Sequence, residues 1–339
     1  MLSLYDEIAA ARILYPPWPP HFCSKSGLAH YNVENLFDTI NDPKIDDEEF
    51  LPASKKEWSS VRYAAKLDKL AQMISSINNG KGPDLLGLCE VENRAVLTDL
   101  VKQKQLKKSA YQIVHFDSPD GRGIDVAFLY RKKSLKKVTA SSHRISDPAQ
   151  TDWKTRDVLL VSGHFANGQR AHFMVNHWPS RLGGQEKSEP KRKLAAVVVK
   201  ALSDSIRKAD PNAAIFVLGD LNDSPVDKSL LEVLATDTTP AQGGFLYNPF
   251  FALAATGEGS IVFQKNYQLI DHIVVSTNTL NTNAKLVYVP GSAAVHKPDF
   301  ARETEERFKG NPFRTYAGNK YLGGYSDHFP VYIQLELRK

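Results

Sequence analysis

The sequence predicts one α/β domain in which β-sheets pack face to face with helices outside them. Two observations lead there. Short apolar runs recur along the chain, each rich in β-branched or aromatic residues and each bounded by turn formers. Helical spacing is clear in only two stretches, too few to cover both faces of a doubly wound parallel sheet. No repeat and no proline- or glycine-rich linker follows residue 30, so nothing divides the chain after that point.

Residues 1–29 read as a leader, a short helix followed by the proline-rich stretch Pro16-Pro-Trp-Pro-Pro20. Residues 30–339 read as the single folded domain. Seven runs are expected as strands: Leu85–Cys89, Val126–Tyr130, Val158–Val161, Phe173–Val175, Ile215–Leu218, Ile273–Val275 and Val331–Leu335. Leu67, Leu70, Ile74 and Ile77 keep helical spacing until Asn79-Gly80 stops the run. Leu194, Val197, Val198 and Ala201 do the same after Pro190, and Asp227–Leu234 reads as a third, shorter helix. Ser24–His30 reads as a poor strand, weakened by Gly27.

With 42% hydrophobic residues over 339 positions, the chain can bury a core without disulfides. Its two cysteines, Cys23 and Cys89, form no framework, and Cys89 sits in an apolar run where a thiol acts as a small buried hydrophobe. A net charge of +5 is compatible with a polyanionic partner but far from that of a histone-like binder. The basic runs Lys102–Lys108, Arg131–Lys137 and Lys187–Lys193 read as solvated helix and turn surface. No window approaches the roughly 18 apolar residues of a membrane span. Asp6, Glu7 and Arg12 interrupt the N-terminal apolar residues, which is unlike a signal peptide. A monomer without membrane insertion is expected.

The ends of the apolar runs carry the chemistry. Leu85–Cys89 leads into Glu90, Phe173–Val175 into Asn176-His177, and Ile215–Leu218 into Gly219-Asp-Leu-Asn222. Asp271 lies just ahead of Ile273–Val275, and Asp327-His328 just ahead of the last run. A carboxylate beside a core is costly unless it is paired or metal-bound. Taken singly, each motif has an ordinary reading: a surface carboxylate, a capped turn, a packed corner or a salt-bridged pair. Taken together, they assemble oxygens and imidazoles at one end of the strands. An oxygen-rich set suits Mg²⁺, Mn²⁺ or Ca²⁺. Zinc is disfavoured, because the ten histidines form no HxxxH or HxH pair and there is no CxxC. Such a set fits hydrolysis of phosphate esters, with nucleic acid as the first substrate class.

Seven motifs in order, Tyr31-Asn-Val-Glu-Asn-Leu-Phe-Asp38, Leu88-Cys-Glu-Val-Glu-Asn93, Arg122-Gly-Ile-Asp-Val-Ala-Phe-Leu-Tyr130, Val175-Asn-His-Trp-Pro-Ser-Arg181, Gly219-Asp-Leu-Asn222, Leu269-Ile-Asp-His272 and Gly324-Tyr-Ser-Asp-His-Phe-Pro330, resemble the endonuclease/exonuclease/phosphatase superfamily. The wording of the first two is most similar to its bacterial, often extracellular, nuclease branch. The resemblance implies a four-layer α/β sandwich, two mixed sheets face to face with helices outside. It implies Asn32, Glu90 and Asp327 as metal ligands and Asp220 as the residue that orients or deprotonates the attacking water. Asn222 and His177 would contact the phosphate, with Arg122 and Arg181 neutralising its charge. Asp271 would orient the imidazole of His328. If a signal has been removed, a secreted or periplasmic site follows from the same branch. The poor reading of Ser24–His30 raises the expectation that Asn32 is displaced and activity reduced.

Two alternatives stand beside the nuclease reading. One is a phosphatase or phosphodiesterase acting on an inositol phosphate, a sphingolipid or another small ester, because the fold does not choose among substrates. The other is a catalytically silent scaffold, which would need a broken site. The sequence leaves DNA against RNA and endo- against exonucleolytic action open.

Overall fold

The computed structural model describes residues 24–339; the leader's helix and proline-rich stretch, and Cys23, lie outside the described residues. The chain begins with β1 (Ser24–Leu36), crosses through helix α1 (Ser60–Gly80) to β2 (Leu85–Val91), and continues through helix α2 (Arg94–Val101), β3 (Tyr111–His115) and β4 (Asp125–Arg131). It then enters a second sheet with β5 (Lys136–His143), β6 (Val158–His164), β7 (Arg170–His177), helix α3 (Gln185–Ala209) and β8 (Ala214–Asp220). After a π-helical turn at Ser229–Leu234 come β9 (Thr236–Asp237), β10 (Leu246–Tyr247), the hairpin β11 (Ile261–Phe263) and β12 (Asn266–Gln268), and β13 (Asp271–Ser276). The chain returns to the first sheet with β14 (Leu286–Tyr288), β15 (Ala294–Val295), the small hairpin β16 (Tyr316–Ala317) and β17 (Lys320–Tyr321), and finally β18 (Val331–Leu337).

The first sheet runs β14-β18-β1-β2-β4-β3 and the second β5-β6-β7-β8-β13-β10-β9. Every strand expected from the sequence is present, and the architecture is the expected four-layer α/β sandwich. Side-chain alternation builds the layers. Leu28, Leu85 and Phe128 of the first sheet face Phe173, Phe216 and Ile273 of the second in one cluster. Ala29, Tyr31, Leu86 and Leu129, from the opposite face, pack under Leu70, Ile74 and Ile77 of α1. Met174, Ile215 and Val217 do the same under Ala195 and Val199 of α3. Between the sheets the rings of Phe128, Phe173 and Phe216 stack in sequence at 5.1 and 5.3 Å. Gly87 permits this closeness, because a Cβ there would lie 2.8 Å from Leu218 Cδ1.

The first strand corrects the sequence reading. Ser24–His30 is a regular strand, paired antiparallel with β18 from Ser24↔Leu337 to His30↔Val331 and parallel with β2 from Leu28↔Leu85 onward. Residues 24–29, read as leader, thus form the first half of a central strand. Gly27 weakens a strand that stands alone, but here partners on both sides hold the backbone. The helix expected after Pro190 also begins earlier, at Gln185, and the third helix is one π-helical turn. Asn79-Gly80 does stop α1, with Asn78 and Asn79 both left-handed.

Candidate active site

The alternation that fills the core also places the polar residues. On β1, His30 and Asn32 follow Leu28 on the inner face, and on β8 Asp220 follows Leu218. On β7 His177 follows Val175, and on β13 Asp271 precedes Ile273. The inner layer therefore changes from apolar to polar at one end of the sandwich. Register sets the residues side by side: Asp220 pairs with His177 on one flank and with Asp271 on the other.

Asp220 and Asp271 are directly opposed like charges, which a sheet tolerates only if one is neutralised. The structure separates their roles. Asp271 accepts from His328, Oδ2 to Nδ1 at 2.7 Å, and from the hydroxyl of Ser260, while its Oδ1 lies 3.3 Å from His30 Nε2. Burial would raise its pKa, but His328 and His30 hold it far below the ordinary carboxylate range. Burial would likewise depress His328, yet the Asp271 carboxylate holds that imidazole well above its ordinary value. Asp220 has the opposite fate: burial and the charge of Asp271 push it up to about 7. Burial, and then the charges of Arg156 and Arg122, depress His177 well below the usual range, so its ring is neutral. Its Nε2 lies 3.7 Å from Asp220 Oδ2, and His328 Nε2 lies 3.9 Å from the same oxygen. Two imidazoles of opposite protonation thus flank one carboxyl.

Glu90 stands at the end of β2 with φ +63°, where the pairing with β4 shifts register. This bulge re-aims a side chain that strand geometry alone would turn to the other face. Glu90 Oε1 accepts from Asn32 Nδ2 at 3.2 Å, and Oε2 from the Asn35 N–H at 2.9 Å. Asn32 is buried at the expected place, not displaced, and its Nδ2 also donates to Asp220 Oδ2 at 3.1 Å. Its amide oxygen accepts from the Glu34 N–H, so holding a cation through that oxygen requires the amide to turn over. Asp327 pairs with Arg314 at 2.9 Å, and its other oxygen is 4.0 Å from His328 Nε2.

Sequence reasoning missed Glu34, His30, Ser260 and Arg156. Burial and the charge of Asp327 raise Glu34, which shares Arg314 with that residue and lies 4.0 Å from the buried Lys66 ammonium. Glu34, Glu90 and Asp327 make this flank rich in carboxylate oxygens, the donor chemistry of a hard divalent cation. Arg156 donates to the His177 and Trp178 carbonyls at 3.1 and 2.7 Å and pairs with Asp120 at 3.0 Å. Asn222 (φ +51°) donates Nδ2 to the Trp178 carbonyl and its N–H to Asp220 Oδ1. Arg122 stands exposed at the rim, its Nε 3.3 Å from Asp120. Arg181 departs from its expected role. Its guanidinium is spent on the Asn222 carbonyl, Gln268 and Asp227, so it braces the Asp220–Asp227 loop and does not project toward a phosphate. Arg192 braces the same loop, buried against Asp223 at 2.6 Å.

Facing sheets that end in an acid–imidazole floor, with a carboxylate-rich flank beside it, define a class of phosphoester hydrolases. Residues 27–337 match the model of the Endonuclease/Exonuclease/phosphatase family, and the chain belongs to that family. Similar solved structures include an endonuclease/exonuclease/phosphatase family protein from Bacteroides thetaiotaomicron at 18% identity, covering 94% of this chain and 100% of that one with a TM-score of 0.56. TDP2 from D. rerio, solved with a single-strand DNA product, is similar at 16% identity over 92% of this chain and 99% of that one, TM-score 0.57. A mannosyl-6-phosphatase from Bacteroides thetaiotaomicron is similar at 18% identity over 91% and 99%, TM-score 0.56. No curated protein sequence matches the chain.

Proposed function

We propose that this chain is a divalent-metal-dependent phosphodiesterase that cleaves nucleic acid by in-line attack of water, with Mg²⁺ or Mn²⁺ as the cation. The row His177–Asp220–Asp271–His328 carries the reading. It offers, within 4 Å of one carboxyl oxygen, a neutral imidazole and an imidazolium. Asp220, raised toward neutrality, takes the proton of the attacking water. His328, kept cationic by Asp271, donates toward a phosphoryl oxygen as negative charge develops. His177 and Asn222 fix the remaining oxygens, and Arg122 contributes charge from the rim. Glu90 and Asp327, with Asn32, would hold the cation, which supplies Lewis-acid polarisation of the phosphoryl group.

The single-strand DNA product in TDP2 supports a nucleic-acid substrate. A second reading, a phosphatase of a sugar or other small phosphate ester, is supported by the mannosyl-6-phosphatase neighbour. The deciding assay incubates the protein with plasmid, single-stranded RNA, an oligonucleotide, an inositol polyphosphate and a hexose 6-phosphate, each with Mg²⁺, Mn²⁺ or chelator. Cleavage of nucleic acid is expected. Phosphate release from a small ester with every nucleic acid left intact would overturn the reading.

A further inference from the structure

A cleft of ≈ 460 Å³ is lined by Trp153, Lys154, Thr155, Pro179, Leu182, Lys187 and Lys191, among others. It adjoins the catalytic row through the chain. Pro179 follows the His177-Trp178 pair, and Arg156, which also lines the cleft, donates to both of their carbonyls. No carboxylate lines it, and none of its three lysines forms an ion pair among the described residues. The Lys191 ammonium rests over the Trp153 ring, 5.2 Å from its centroid. Leu182 is 89% exposed at the cleft's edge. Thr155 is 2% exposed, yet its hydroxyl has no hydrogen-bond partner among the described residues. A buried donor left unpaired costs free energy unless a ligand or water takes it.

Lysines interleaved with an aromatic ring and an exposed aliphatic side chain match single-stranded nucleic acid: phosphates for the ammonium groups, base faces for Trp153 and Leu182. A small sugar phosphate brings one anionic group and leaves most of this cleft unused. We propose that the cleft is a subsite for the nucleotides flanking the scissile phosphate of a single strand, with Lys154, Lys187, Lys191 and the Thr155 hydroxyl taking the neighbouring phosphate and Trp153 and Leu182 carrying a base. This deepens, and rests on, the nuclease reading above. It also gives part of the Lys187–Lys193 run a function beyond solvated surface.

The test compares the parent with Lys154→Gln/Lys187→Gln/Lys191→Gln and, separately, with Trp153→Ala, on a single-stranded oligonucleotide of about a dozen nucleotides and on bis(p-nitrophenyl) phosphate. The triple variant keeps the question open to refutation if loss of Trp153 disturbs the fold. KM for the oligonucleotide is expected to rise about tenfold or more, the scale of a lost stacking or phosphate contact. Its log–log salt dependence should become shallower by about 2, as three released counterion sites on a single strand require. Hydrolysis of the small diester should be unchanged. Oligonucleotide kinetics unaltered in both variants, or equal losses on both substrates, would overturn the subsite while leaving the nuclease reading standing. A parent that hydrolyses the small diester but neither binds nor cleaves the oligonucleotide would overturn both.

Discussion

Asp271 Oδ2 accepts from His328 Nδ1 at 2.7 Å across 57 positions of sequence, and the other oxygen of the same carboxylate faces His30. One buried anion therefore orients two imidazoles, one from the strand that opens the first sheet and one from the approach to the strand that closes it.

If Asp271 acts through His328, the two residues are one functional unit. His328→Ala should lower kcat about 10²-fold or more, the scale of lost acid–base catalysis. Asp271→Asn added to that background should cost little further, because members of a unit are strongly non-additive. A double-mutant cycle on kcat measures this; losses that multiply would separate the pair.

The carboxylate flank predicts metal dependence. Excess chelator should abolish activity, and Mg²⁺ or Mn²⁺ should restore it. Glu90→Gln keeps the side chain's size and its hydrogen bond from Asn35 but removes its charge. It should lose most activity at saturating metal with little change in Tm. A rate within a few-fold of the parent would show that Glu90 holds no ion.

Gly219 predicts a purely steric failure. At φ +155° it lies against β7, and an added Cβ would sit 2.2 Å from the Asn176 carbonyl oxygen. Gly219→Ala should cost about 3 kcal/mol or more, since backbone must move in the middle of a sheet. Gly257→Ala, at φ +82° with open space around it, should cost only about 1 kcal/mol. Thermal melts of the two variants check the contrast.

His172 predicts acid sensitivity away from the site. Burial, reinforced by Arg170, depresses its pKa to about 4, and its Nδ1 is 2.7 Å from the Ser162 hydroxyl. The unfolded chain takes up this proton nearer the ordinary histidine value, while the folded chain refuses it until far lower pH. The contribution is complete above about 6.5 and is lost as pH falls toward about 4. Denaturant midpoints measured between those values should fall less steeply for His172→Gln than for the parent.

Much of this was legible in the sequence because strand alternation and strand-end polarity are local signals. Leu218-Gly-Asp220 shows both the buried run and the residue at its end. What was not legible depended on partners. Ser24–His30 is unremarkable alone and becomes a central strand only between β2 and β18. His30 went unseen with it, although it sits two residues before Asn32 on the same face. Arg156 precedes a strand in an ordinary Thr-Arg-Asp sequence, and only the folded chain shows its guanidinium gripping the carbonyls behind His177. Arg181 was read from its motif as a phosphate contact, but the acids that occupy it lie more than forty positions downstream.

The pairing of β1 with β18 has a consequence for how the molecule is made. Asn32 and Glu90 are synthesised more than 200 positions ahead of His328 and of the strand that seats β1. A chain growing at roughly 5–20 residues per second spends some tens of seconds between making Glu90 and making the imidazole that Asp271 must orient. The acid–imidazole row therefore stays incomplete until β18 and its approach are made, however early β1 and β2 have met.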